Sequence, residues 1–208
     1  MLTTNQNYRS PSNHYQLPKN AIDDGISRNF KKGEIFPLDS HNLWLLKRGV
    51  VKTLTYSEKG KTIVLGYWGA GDIVGVPLSN VTPYEIQCLS SVEAIYIDKE
   101  QYSCLLTRMI SCVQQTDELL RIVRVEKMYY RLVKALIWLT NKFGIEVSQG
   151  VLIDVRLTHQ DIADIIGSTR VTVTRLLNQL TEEDLIFRSQ RFSIIVKDLS
   201  LLQKKIKI

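Results

Sequence analysis

The chain is poor in the residues from which metal and redox sites are built. Its 208 residues include three cysteines and three histidines, and neither type is clustered. Cys88, Cys104 and Cys112 form no C-x-x-C pair. Their odd number and wide spacing mark them as free thiols of a reducing compartment rather than disulfide or iron–sulfur partners. His14, His41 and His159 are scattered, so no zinc-ligand spacing exists and no metal is expected. Long apolar runs are missing as well: none approaches the ~18 residues that cross a bilayer. The N-terminal stretch MLTTNQNYRSPSNHY is polar and lacks the apolar core of a signal peptide. These absences predict a cytoplasmic protein without a membrane partner.

Catalytic signatures are also lacking. There is no G-x-S-x-G, no H-E-x-x-H and no phosphate-loop lysine motif. GAGDIVG at 69–75 has glycines, but in the order G-x-G-x-x-x-G and leading into a strand-like segment rather than a helix. A dinucleotide loop needs the other spacing and a following helix, so these are read as tight turns of a β-domain. An enzyme is not expected, and neither is a cofactor.

What the chain does have is a change of period along its length. Residues 1–28 are rich in Asn, Ser and Pro, without periodicity, and read as an arm. From Phe30 to about residue 98, short alternating segments separated by turn signals follow one another: GEIFPL, NLWLLKRGVVKTLTY bent at Gly49, KTIVLGYW after the turn SEKG, GAGDIVGVPL, YEIQCL and EAIYI. Short strands at that spacing predict a sandwich or barrel, a domain over 29–104. Between Gln101 and Phe143 there is neither Gly nor Pro, which favours helix. Met109, Val113, Thr116, Leu120 and Val123 fall at alternating steps of four and three, and Leu119 and Ile122 widen the band. A helix over 105–127 can turn this band to its own sandwich or to a second copy; its breadth favours a dimer seam. A second helix, YYRLVKALIWLTNKF, ends at Gly144, read as its C-cap. It opens a domain over 128–208, in which the strand-like GVLIDVRL, the stretch LTHQDIADIIGSTRVTVTRLLNQL and the paired strands of DLIFRSQRFSIIV follow in the order of a winged helix. The whole is predicted to be α+β.

The stretch at 157–180 meets the demands of a helix–turn–helix that reads DNA. Ala163 allows close crossing, Gly167 supplies the left-handed turn, and Ile162, Ile166, Val173, Leu176 and Leu180 lock the pair. Thr158 with Asp161 forms an approximate capping box, and Ser168 or Thr169 caps the second helix. Thr169, Arg170, Thr172, Thr174 and Arg175 then face outward. Threonine is a weak helix former, so that face suits a groove better than solvent. His159 stands where a phosphate contact is expected. Arg188 and Arg191, flanking the wing turn, are candidates for backbone phosphates. The net charge of +6 permits such a partner without establishing one.

These residues resemble the catabolite-activator and fumarate–nitrate-reductase (CRP/FNR) superfamily of regulators. LTHQDIADIIGSTRVTVTRLLNQL is similar in detail to the cyanobacterial global nitrogen regulators, with which it shares the GSTRVTVTRLL core. RLVKALIWLTNKFGI, FSIIV and, more weakly, KKGEIF, LWLLKRGVVK and GAGDIVGVPL extend the match. The resemblance implies a β-roll (jelly-roll) of the cyclic-nucleotide-binding type, a long dimerisation helix and a winged helix. It implies a homodimer on double-stranded DNA, working with RNA polymerase. Arg170 and Arg175 fall on the base-reading arginines, and Gln160, Thr169 and Thr172 on positions used for phosphates or neighbouring bases; Ser168 and Val171 belong to the same face. Val171 replaces a glutamate that reads cytosine in the catabolite activator, and the resemblance points instead to a palindrome of GTA and TAC half-sites. In the sensor half the ribose-binding glutamate is replaced by Val76, and LSNVTPYEIQCL holds no cation for a cyclic phosphate, so cyclic AMP is not expected. Against 2-oxoglutarate stands the missing sandwich arginine, while Gly75 and Val76 within VGVPL, and Arg108 one turn from the expected long-helix arginine, are the candidates left for an effector. Two readings follow: a regulator without an effector or with an unknown one, or a sensor of 2-oxoglutarate or another metabolite whose DNA binding depends on it.

Overall fold

A computed structural model describes residues 26–188 and 193–206. The arm expected over 1–28 therefore lies almost wholly outside the described residues, although Ser27 and Arg28 already pair in a strand. Arg191 lies outside them as well.

The N-terminal half is a β-roll of two sheets. Strands β1 (Ser27–Phe30), β7 (Val92–Ile97), β2 (Leu43–Arg48) and β5 (Ile73–Val74) form one, in the order β1-β7-β2-β5. Strands β4 (Thr62–Trp68), β3 (Val51–Tyr56) and β6 (Glu85–Cys88) form the other, in the order β4-β3-β6. All pairings within them are antiparallel. Leu43, Leu45, Val51, Ile73, Ile86 and Ile97 point inward and are fully buried, which is what the alternating pattern demands. GEIFPL differs from expectation: it contributes a single bridge, Ile35 to Gln87, because Pro37 cannot donate to a ladder. Gly49, at φ 89°, makes the bend between β2 and β3. A side chain there would strike the Ser91 carbonyl.

A short 3-10 segment, Lys99–Leu105, leads into α1 (Leu106–Val123), and α2 (Met128–Phe143) follows a four-residue link. Helix α1 turns Met109 and Cys112 to the roll, and Leu119 and Ile122 to the core of the C-terminal half. The uncovered stripe is Leu106, Ile110, Val113 and Leu120, at 64%, 50%, 62% and 51% exposure. The expected seam thus shares Val113, Thr116 and Leu120 with the face left open; Met109 is consumed by intrachain packing.

The C-terminal half combines α2 with β8 (Gly144–Val147), β9 (Gly150–Ile153), α3 (His159–Ile166), α4 (Arg170–Glu182), β10 (Ile186–Arg188), β11 (Ile194–Val196) and α5 (Leu199–Lys204). Its sheet runs β10-β11-β9-β8. Gly144 is the C-cap of α2, as expected, but with extended rather than left-handed backbone (φ −78°, ψ 138°), and it starts β8. A Cβ there would lie 2.2 Å from the Thr140 carbonyl, so the chain turns directly from helix into strand only because the position is glycine. Leu132, Leu136, Leu139, Ile162, Ile166, Val173, Leu177 and Leu180 make one core, and Tyr67 of β4 inserts into it from the roll. Among the described residues no helix is long and apolar enough to cross a membrane.

Candidate DNA interface

Helix α3 begins at a reciprocal cap. The Thr158 hydroxyl accepts from the Asp161 N–H at 3.1 Å, and the Asp161 carboxylate accepts from the Thr158 N–H at 2.9 Å. Asp161 does more than the motif requires: its second oxygen receives Lys52 Nζ of β3 at 2.9 Å, and its carbonyl accepts from Tyr67 Oη at 3.1 Å. Burial alone would raise the Asp161 pKa, but hydrogen bonds from Thr158 and Lys52 outweigh it and hold the carboxyl below its ordinary value. The first helix of the pair is thereby bolted to the roll.

The turn follows from Gly167 at φ 62°, ψ 46°, left-handed backbone that costs an L side chain about 1–2 kcal/mol. Ser168 N–H closes on the carbonyl of Ala163, which is fully buried. Arg131 of α2, which the sequence did not single out, secures the same turn. Its guanidinium donates to Ile166 O at 3.0 Å and to Val125 O at 2.7 and 2.9 Å, tying the α1–α2 link to the end of α3.

Helix α4 is capped by Thr169, whose hydroxyl accepts from Thr172 N–H at 3.2 Å. Val173, Leu176, Leu177 and Leu180 are buried beneath it. Arg170 and Arg175 are exposed, and Val171 is the barest large apolar residue described, at 79% exposure. No acidic residue occupies the first turn. Arg170, a cation at the positive end of the helix dipole, works against the helix and favours an arriving anion.

The threonines are less free than the sequence suggested. Thr172 bonds Thr169 at 3.0 Å, and Thr174 donates its hydroxyl proton to Arg170 O at 2.9 Å. His159 Nδ1 meets the same Thr174 hydroxyl at 2.7 Å. Ser168, Thr172, Thr174 and His159 are half-buried, while Thr169 and Gln160 are exposed, the latter bonded to Asp164. Burial, then the charges of Arg188 and Arg170, hold the His159 pKa below that of a free histidine. Arg188 lies beside α4, donating to Asn178 Oδ1. Its Nε is buried without a partner among the described residues. The structure therefore brings His159, Thr174, Arg170 and Arg188 together beside the exposed start of α4, with Ser168 to Thr172 forming that start; Arg175 is exposed further along the helix, and Gln160 is bonded to Asp164 instead.

The effector candidates do not gather. Arg108 is turned away from Gly75 and Val76 and donates to the carbonyl of Gly71; burial lowers its pKa. Gly75 packs on β2, where a Cβ would lie 2.7 Å from Asn42 O. Tyr84 lies against Gly75 and Thr53, and Trp68 Nε1 donates to Thr53 at 3.0 Å. Burial pushes the Tyr84 phenol up to about 12. Among the described residues no group of three or more His, Cys, Asp and Glu gathers to hold a metal. The three cysteines are free thiols, Cys88 and Cys112 buried and Cys104 exposed.

A second unforeseen cluster joins the halves. Lys142 of α2 bonds Asp72 at 2.6 Å and the Gln115 side chain of α1, and Gln115 reaches Asp72 at 2.9 Å. The rings of Trp68, Trp138 and Phe143 lie 5.5–6.0 Å from the ammonium. Burial lowers the Lys142 pKa against the pull of Asp72.

Residues 130–205 match the family model of the Crp-like helix-turn-helix domain. The chain is 37% identical over 165 residues to the regulatory protein CysR of Synechococcus elongatus, covering 76% of this chain and 78% of that one. It is 32% identical over 195 residues to the global nitrogen regulator of the same organism, covering 84% and 87%. Among solved structures, a CRP-family transcriptional regulator from Thermus thermophilus superposes with a TM-score of 0.74 at 19% identity, covering 87% of this chain and 97% of that one.

Proposed function

The chain belongs to the CRP/FNR family of transcription regulators, and from that premise we propose that it acts as a homodimer on an inverted-repeat operator. It is a DNA-binding regulator with the β-roll and helix–turn–helix of that family. One observation carries the finer reading: the start of α4 presents Arg170, Val171 and Arg175 together, on a helix that Gly167, Thr169 and the buried Val173 and Leu177 hold rigid. Arg170 and Arg175 read base edges in the major groove, one of them the single guanine of its half-site, while Val171 fits a thymine methyl, the contact an apolar side chain makes there. GTA and TAC half-sites offer both. Thr169, Gln160, His159 and Arg188 take phosphates, which fixes register without reading sequence.

The uncovered stripe Leu106, Ile110, Val113 and Leu120 supports pairing along α1, which sets two α4 helices about 34 Å apart, one turn of the duplex. The roll acts as a scaffold rather than as a receptor for cyclic AMP or 2-oxoglutarate. Arg108 is engaged elsewhere, and an anionic ligand buried without a cation is costly. RNA polymerase is the partner at the promoter. Selection of bound duplexes from a random pool, with and without small metabolites, tests the reading. An inverted repeat recovered in both conditions supports it; recovery only with a metabolite replaces the scaffold by a ligand-gated sensor; no enriched sequence overturns it.

A further inference from the structure

His159 differs from the other groups on this face in being able to change charge. Its Nδ1 lies 2.7 Å from Thr174 Oγ1, and that hydroxyl has already given its proton to Arg170 O, 2.9 Å away. A carbonyl only accepts, so the Thr174 oxygen is left as the acceptor for His159. The proton of the neutral imidazole is therefore fixed on Nδ1, and Nε2 carries a lone pair with no partner among the described residues. Arg170 from α4 and Arg188 from β10 are the charged groups facing the ring. The carboxylates on its own helix are turned elsewhere, Asp161 to Lys52 and Thr158, Asp164 to Gln160. In the free protein two cations and partial burial keep the ring neutral.

A DNA phosphate reverses that balance. Its oxygens are acceptors only, so the bare lone pair at Nε2 repels them, whereas an imidazolium donates Nε2–H and keeps its bond to Thr174. Phosphates drawn in by Arg188, and the negative field of the duplex around Arg170, also offset the charges that disfavour protonation. We propose that His159 is a proton-linked phosphate contact: each subunit takes one proton from solvent onto Nε2 as it engages duplex DNA, so that binding tightens on acidification. The proposal rests on the DNA-binding reading above and deepens it. The sign follows from linkage: protonation is favoured in the complex, so affinity rises as pH falls through the interval between the bound and free pKa values, and levels off below the free one. Because the contact is to backbone, cognate and scrambled duplexes gain alike.

The test is fluorescence anisotropy of the full chain with a labelled GTA/TAC inverted repeat and a scrambled duplex of equal length, from pH 6 to 8.5 at fixed salt. The wild-type dissociation constant is expected to fall at least about fivefold between pH 8 and pH 6.5 on both duplexes, within the limit of tenfold per pH unit for each linked proton. His159→Gln is expected to remove that component and stay weak. His159→Arg is expected to bind independently of pH, near the wild-type level at pH 6. Calorimetry in two buffers of different ionisation enthalpy should read net proton uptake on binding, up to one per subunit. A wild-type pH slope retained in both variants, or no proton uptake by a wild type that binds DNA, overturns the proposal while leaving the functional reading intact. Failure of the wild type to bind either duplex at any pH overturns both.

Discussion

Arg170 stands where an α-helix least favours positive charge, in its first turn, with no acidic residue there to offset it, and Arg175 is exposed beyond that turn. Val171, at 79% exposure, adds an apolar branched side chain that packs on nothing in the chain. Each choice costs helix stability, and each makes sense against a major groove. Replacing Arg170 by Ala should weaken binding to the preferred duplex by about 1–3 kcal/mol, roughly 5- to 150-fold, and relax preference at one base pair. Gel shifts over a set of single-base variants measure both. Replacing Val171 by Ser should leave affinity for scrambled DNA unchanged and reduce discrimination at one A·T position only. These residues were legible in the sequence because helix–turn–helix chemistry is local: the caps, the hinge and the lock all fall within 24 consecutive positions, 157–180. The occupation of the Thr174 and Thr172 hydroxyls was not, since side-chain bonding within a helix turn follows rotamers that spacing does not report.

At the scale of elements, Gly167 and α1 carry the argument. A Cβ at Gly167 meets only Arg131 Nη1 at 3.8 Å, so Gly167→Ala pays for backbone strain and not for a clash. Urea unfolding should show a loss of about 1–2 kcal/mol, with Gly167→Asn milder. On α1, Val113→Asp or Leu120→Asp should give monomers by sedimentation velocity without unfolding, because both side chains are exposed within the chain. Met109→Asp should instead unfold the roll, against which that residue packs. This contrast marks what the heptad pattern could not supply. Helix α1 is apolar on two sides, one for its own domains and one left open, and periodicity alone does not assign the phase. Gly144 caps α2 as expected, but the sequence could not give its conformation: the glycine signal is the same whether it permits a left-handed cap or a close approach of strand to helix, here to the Thr140 carbonyl.

Across the whole molecule, two ionic clusters bind the roll to the reading head: Lys52 with Asp161, and Lys142 with Asp72 and Gln115. Their partners are 109 and 70 residues apart, which is why no motif announced them. Lys142→Met leaves the half-buried Asp72 carboxylate without its cation, held only by the neutral donors Gly69 N–H and Gln115 Nε2, and should cost about 1.5–3 kcal/mol in thermal or urea unfolding, whereas pairing it with Asp72→Leu should recover part of the loss. The Asp161 carboxyl, held below its ordinary pKa, contributes stability that is full above the unfolded value near 4 and fades as pH falls below it. An Asp161→Asn chain should be less stable at neutral pH and show a flatter loss between pH 5 and 2 than the wild type. The central claim is that two α4 helices, held by one dimer, enter successive major grooves on the same side of the duplex. It is tested most directly by binding to inverted repeats whose half-sites are kept intact while the spacer is lengthened by five base pairs, half a helical turn. The account predicts that affinity drops to the level of scrambled DNA, since the second half-site is rotated to the far side; equal affinity for both spacings would contradict it.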